Sequence, residues 1–193
     1  MPSRLKRLQR ALERDDVRSI SRRYFISNGF DGALTSVGIA VGSYLSGVPD
    51  GVTVFKIGIG AAIGLGTSGL WSVWEIERAE KRAELRQIEQ AMLTDLGETR
   101  IQRQKAGARQ VNALMSGLGP IIGIVFPMIP FLFEGAPLSM RGATLTSIGV
   151  AVSVLFVFGT YLADISEQNW IVAGARMGLA GIVVAVLNIL LPG

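Results

Sequence analysis

Neither cysteine nor histidine occurs among the 193 residues. Without cysteine, disulfides, thiolate metal sites and cysteine nucleophiles are excluded. Without histidine, the commonest general base and the commonest transition-metal ligand are gone as well, leaving Asp, Glu, Asn, Met and backbone carbonyls for any metal chemistry. Such ligands favour hard or borderline divalent cations. No Ser-Lys pair or paired carboxylates at one membrane depth replace the missing groups, so no nucleophile and base can be assembled and an enzyme is not expected. Charge is also scarce: 18% of residues are charged against 49% hydrophobic, and mean hydropathy is +0.42. The net charge of +4 is confined to a few stretches between long uncharged ones, which is a membrane pattern rather than a nucleic-acid one. The N-terminus lacks a continuous apolar core followed by a cleavage-like site, so no removable signal peptide is expected and the first span directs insertion.

What is present is apolar length. A bilayer core about 30 Å thick needs roughly 20 apolar residues in a helix, and five stretches qualify: 24–47, 52–74, 111–133, 143–163 and 170–191. Backbone groups in lipid must be satisfied within the segment, which forces helices. The expected fold is therefore all-α, a polytopic membrane protein with five transmembrane helices and a short cytoplasmic helical segment between spans two and three. Its parts are a basic amphipathic helix over 1–23, spans one and two over 24–74, a charged segment over 75–110, and spans three to five over 111–193.

Orientation follows from Lys and Arg. Eight lie before residue 24 and eight more between 75 and 110, leaving only Lys56, Arg141 and Arg176 elsewhere. The positive-inside rule places both basic stretches, and so the N-terminus, in the cytoplasm. Leu5, Leu8 and Leu12 form an apolar stripe, with Ala11 beside them, in a helix otherwise rich in arginine. This reads as an interfacial helix, either a plain positive-inside anchor or a surface for anionic lipid headgroups.

Span one breaks the membrane rules. Asp31 lies roughly 12 Å inside the boundary marked by Arg22 and Arg23, where an ionisable group usually faces a bundle interior or a wet path. Asn28 and Thr35 stand three residues before it and four after, on one helix face. Carboxylate, amide and hydroxyl together could hold a divalent cation, or a proton once the cation leaves. The alternative is that Asp31 bonds a neighbouring helix or pairs with Arg176, Arg141 or Lys56. Further along the same span, Gly38, Gly42 and Ser46 make a small-residue ridge, and Gly60, Gly64 and Gly66 make another in span two. Such ridges let helices approach closely, within one subunit or across a homodimer.

Span three contains Pro120, Pro127 and Pro130 and is expected to kink or partly unwind, freeing carbonyls that can coordinate cations. Met115 and Met128 could add thioethers to such a path, or simply fill gaps. In the charged segment Glu77, Glu80 and Glu84 share a helix face, with Arg78, Lys81, Arg82 and Arg86 interleaved. They form either a solvated, salt-bridged surface or carboxylates awaiting a cation.

FDGALTSVGIAVGSYLSG, beginning at Phe30, resembles the first span of the vacuolar iron transporter family, in which Asp-Gly is followed by Thr or Ser and a glycine-rich helix. GLGPIIGIVFPMIPFLF is similar to that family's proline-rich third helix, EIERAE to the start of its cytoplasmic metal-binding helix, and the stretch from Leu155 to the end to its last two helices. The resemblance implies a dimer of five-helix subunits exporting Fe2+ or Mn2+ from the cytoplasm in exchange for protons, with no permanently bound cofactor. It further implies Asp31 as the transport carboxylate and Glu77, Glu80 and Glu84 as cytoplasmic metal ligands. Membrane lipid, protons and the metal would be the partners, and a prokaryotic plasma membrane the more natural location than a vacuole. The second span departs from the family. GAAIGLGTSGLWSVWEIE carries no methionine and no acid before Glu75, where the family has Ser-Met-Ala and Gly-Glu-Tyr runs. A protein that kept the fold without transport would instead be a membrane scaffold, binding anionic lipid or a partner protein through its basic cytoplasmic face.

Overall fold

The computed structural model describes residues 15–92 and 100–190. Helix α1 spans Asp15–Leu45, α2 Gly51–Met92, α3 Arg100–Met128, α4 Met140–Ser166 and α5 Trp170–Leu190, with a 3-10 turn, Ile129–Phe133, extending α3. The stripe of Leu5, Leu8 and Leu12 lies outside the described residues.

Four of these helices are long and apolar enough to cross a membrane, over Gly51–Ala91, Gly107–Phe133, Met140–Ser166 and Trp170–Leu190. Helix α1 has the length, at 31 residues, but Asn28, Asp31, Thr35, Ser36 and Ser43 dilute its apolar character. Its place in the bundle explains why that dilution is tolerated. Helix α1 packs along α3 and also against α4 and α5, so most of its polar side chains meet protein instead of lipid; Ser36 and Ser43, for example, are buried. Helix α3 is the centre of the bundle: 56% of its apolar window is buried, against 22% for α5.

Close approach is achieved by glycine. A Cβ on Gly32 of α1 would lie 2.7 Å from the Pro120 Cα of α3, so only a hydrogen atom fits between these two backbones. Pro120 and Pro127 both sit inside α3 without ending it, and the expected unwinding comes only after Met128, in the 3-10 turn that carries Pro130.

Among its described residues, the charged segment continues the helices of the spans on either side. Helix α2 continues unbroken from its apolar half through residue 74 to Met92, and α3 starts at Arg100, before its own apolar run. At 1.5 Å per residue, α2 is about 63 Å long, roughly twice a bilayer core. Glu, Arg, Lys, Ala and Gln are all strong helix formers, so the helix has no reason to stop where hydropathy falls.

Turns at the opposite end are short and capped. Asp50 Oδ1 accepts the Thr53 N–H at 2.8 Å and Oδ2 accepts the Thr53 hydroxyl at 2.8 Å, starting α2. Ser139 accepts the Gly142 N–H at 3.2 Å to start α4. Across this end Glu134 accepts the Gly51 N–H at 3.3 Å, tying the loop after α3 to the head of α2.

Candidate functional site

The polar residues of α1 do not converge on one ligand set within a protomer. Asn28 turns inward: its amide donates to the Ser116 hydroxyl of α3 at 2.6 Å, and that hydroxyl donates to the Gly69 carbonyl of α2 at 2.9 Å. Three helices are joined by this relay. Gly69 permits it, since a Cβ there would lie 2.9 Å from the Ser116 carbonyl oxygen. Thr35 donates to the Asp31 main-chain carbonyl at 2.8 Å, an ordinary i to i−4 bond within the helix.

Asp31 points the other way. Its side chain is exposed on the outside of the protomer, and among the described residues it forms no ion pair with Arg176, Arg141 or Lys56. Open space also faces three ridge glycines: nothing lies within 4 Å of a Cβ built on Gly42, Gly60 or Gly64. The small-residue ridges are thus only partly used inside the protomer: Gly66 lies against Ile121 and the Gly117 carbonyl, and Gly38 faces the Asn188 amide of α5.

The two methionines expected to line a path sit in packing positions. Met128 is fully buried in the cluster of Ala40, Val54, Ala62, Ile124, Phe131 and Ala143, where Gly58 leaves it room. Met115 packs half-buried against Val17, Ala108 and Val111. Both fill gaps between helices, as a flexible unbranched side chain does well.

A second polar centre lies where the charged ends of α2 and α3 meet. Glu77 is 2% exposed. Its Oε1 accepts the Asn112 amide at 2.9 Å, and Lys81 Nζ stands 3.9 Å from Oε2, near enough for charge attraction but too far for a hydrogen bond. Glu77 Oε2 and Asn112 Oδ1 are both buried and have no hydrogen-bond donor among the described residues. Two acceptor oxygens in that state are what a proton or a cation satisfies. One turn below, the Arg109 guanidinium of α3 lies 4.2 Å from the centre of the Trp74 ring of α2, a cation–π contact that clamps the helices together.

Glu80 and Glu84 do not join Glu77. Both are exposed, and among the described residues no group of three acidic side chains is placed to hold a metal ion. Helix α3 covers only the strip of α2 that contains Glu77. Asn112 and Ser116, the residues that complete the two polar centres, carry no local sequence pattern that singles them out. The available signal was an amide and a hydroxyl, one turn apart, at the start of an otherwise apolar run.

The sequence model of the VIT family matches residues 72–191, from within α2 onward. An uncharacterised protein of Methanocaldococcus jannaschii aligns over 168 residues at 26% identity, covering 86% of this chain and 85% of the relative.

Proposed function

The chain belongs to the VIT family, the vacuolar iron transporters, and from that premise we propose that it carries divalent metal ions, Fe2+ or Mn2+, out of the cytoplasm in exchange for protons. The family is one of membrane transporters rather than enzymes. In this reading α1 is the fifth span, the N-terminus and the charged helix ends are cytoplasmic, and the membrane is a prokaryotic plasma membrane. The skew of Lys and Arg supports the orientation, and the archaeal relative supports the membrane.

The observation that carries the proposal is the outward carboxylate of Asp31, which has no ion pair among the described residues. Facing lipid, a charge at that depth costs about 3 kcal/mol or more. A second copy of the chain, docking along the open glycine faces of α1 and α2, covers it and sets two Asp31 carboxylates across one path. Like charges brought together in this way bind a divalent cation, and take up a proton when the cation departs. Asn28 holds the wall of the path through its bond to Ser116, and Thr35 supplies a hydroxyl one turn away. Asp31 is then the principal ligand inside the membrane, because α2 offers no acid before Glu75. Glu77, whose Oε2 has only the Lys81 charge near it among the described residues, offers the cation a first stop at the cytoplasmic end.

Uptake into vesicles tests this. Purified protein reconstituted with a pH gradient should accumulate Fe2+ or Mn2+, and Asp31→Asn should abolish the accumulation while keeping the elution volume and melting temperature of the wild type. Equal transport by that variant would refute the mechanism.

A further inference from the structure

An open groove of about 600 Å³ runs between the first half of α1 and the pair α4 and α5. Its floor is apolar, formed by Ile26 and Phe30 of α1, Leu162 of α4 and Met177 of α5, and its rim carries Arg22 and Arg23. A second hollow of about 360 Å³ shares Phe30, Leu162 and Met177 with the first and adds Arg176. None of these arginines forms an ion pair with a described residue. Arg23 instead lies 5.8 Å from the centre of the Tyr24 ring.

Charge and depth both limit the occupant. Arg22 and Arg23 mark the level at which α1 enters its apolar stretch, while Phe30, two turns on, lies about 11 Å deeper. Arg176 is exposed on the otherwise uncharged α5, about 9 Å from Trp170 at the helix start, and has no acidic partner among the described residues. A molecule that fits must place negative charge at the rim and hydrocarbon on the floor. We propose that the groove is a binding site for an anionic phospholipid of the leaflet on this side. Its phosphate sits between Arg22 and Arg23, its acyl chain lies over Phe30, Leu162 and Met177, and Arg176 reaches back toward the headgroup. A free phosphate ion would satisfy the rim but leave the apolar floor bare, and a zwitterionic lipid would leave the arginines unneutralised. The proposal needs the chain to span a membrane but is independent of which ion, if any, is carried.

Native mass spectrometry of the full-length protein, released from detergent with phosphatidylglycerol or phosphatidylcholine of identical chains, measures the site. Wild type should retain phosphatidylglycerol at least tenfold more strongly than phosphatidylcholine, and inorganic phosphate should not compete. Each basic residue near an anionic surface contributes about fivefold in binding, so Arg22→Gln with Arg23→Gln should weaken retention by about twenty- to thirtyfold. Met177→Trp, which fills the floor without changing charge, should also displace the lipid. Arg141→Gln, at the opposite end of α4, should not. Equal retention of both lipids overturns the proposal, as does undiminished phosphatidylglycerol on Met177→Trp, which would put the lipid on the general basic surface. If Met177→Trp abolishes dimers and leaves lipid binding intact, the groove belongs to a second copy of the chain and the lipid assignment also fails. The arginine pair gives an independent reading should the tryptophan variant not fold, and none of these outcomes depends on metal uptake.

Discussion

The Asn112 amide of α3 donates to the buried Glu77 carboxylate of α2 across 2.9 Å, linking the two helices where both are leaving their apolar stretches. With Asn112 gone, Glu77 keeps, among the described residues, only Lys81, at 3.9 Å. A buried acceptor stripped of its donor costs about 1–3 kcal/mol, whereas removing both partners together can be nearly neutral. Asn112→Leu should therefore lower the melting temperature by several degrees, and adding Glu77→Leu should recover much of the loss. Thermal melts in one detergent check both. An unchanged single variant would mean that the bond contributes nothing to holding these helix ends together.

Gly32 and Gly60 make a matched pair for a second prediction. A Cβ on Gly32 would meet the Pro120 Cα at 2.7 Å and its carbonyl oxygen at 2.8 Å, both backbone atoms that cannot swing aside. Overpacking of this kind costs about 1–3 kcal/mol, so Gly32→Ala should destabilise the protomer. Gly60 has nothing within 4 Å, and Gly60→Ala should leave the melt unchanged. Gly60→Leu separates the protomer from the dimer: the subunit still folds, but light scattering should show a smaller dimer fraction, because the bulk falls on the face assigned to the second copy.

Hydropathy made α2 to α5 legible because lipid leaves a chain few options, and it marked α1 by length while its polar residues lowered the signal. Those residues are tolerated because α1 lies against the other four helices, a tertiary fact that no local window contains. The boundary drawn at residue 74 shows the reverse problem. Composition changes there but helix propensity does not, so one continuous helix carries both the span and the charged end. Periodicity put Glu77, Glu80 and Glu84 on one face, yet only Glu77 lies under α3, since burial depends on a partner strip narrower than a helix face. Its partner Asn112 lies 35 residues away, beyond the reach of any i, i+4 argument. Asp31 was legible for a simpler reason, since an acid is conspicuous in an apolar run wherever it points.

Asp50 gives a pH-dependent prediction outside the membrane. The Thr53 hydroxyl and N–H, both bonded to its carboxylate, hold its pKa below the ordinary range. A depressed native pKa stabilises the fold fully above the unfolded value, about 3.9, and that contribution disappears as pH falls through the lower native value. Asp50→Ala should thus melt below wild type at neutral pH, with the gap closing in strong acid. Thr53→Val, which removes one of the two donors, should show a smaller gap. A gap that stays constant with pH would mean that the cap acts without its charge.

Metal binding can be read apart from transport. A ligand that binds only the folded protein raises stability by about 2.7 kcal/mol at one hundred times its dissociation constant, so Mn2+ should raise the melting temperature of the wild type. Carboxylate ligands must be deprotonated to bind metal, and the rise should shrink as pH is lowered. If Asp31 of two subunits holds the ion, Asp31→Asn removes most of the rise. Glu80→Gln and Glu84→Gln should keep it, because those exposed side chains are not gathered with Glu77 into one site. Loss of the rise in Glu84→Gln with retention in Asp31→Asn would move the principal metal site out of the membrane and onto the charged end of α2, leaving Asp31 with the proton alone.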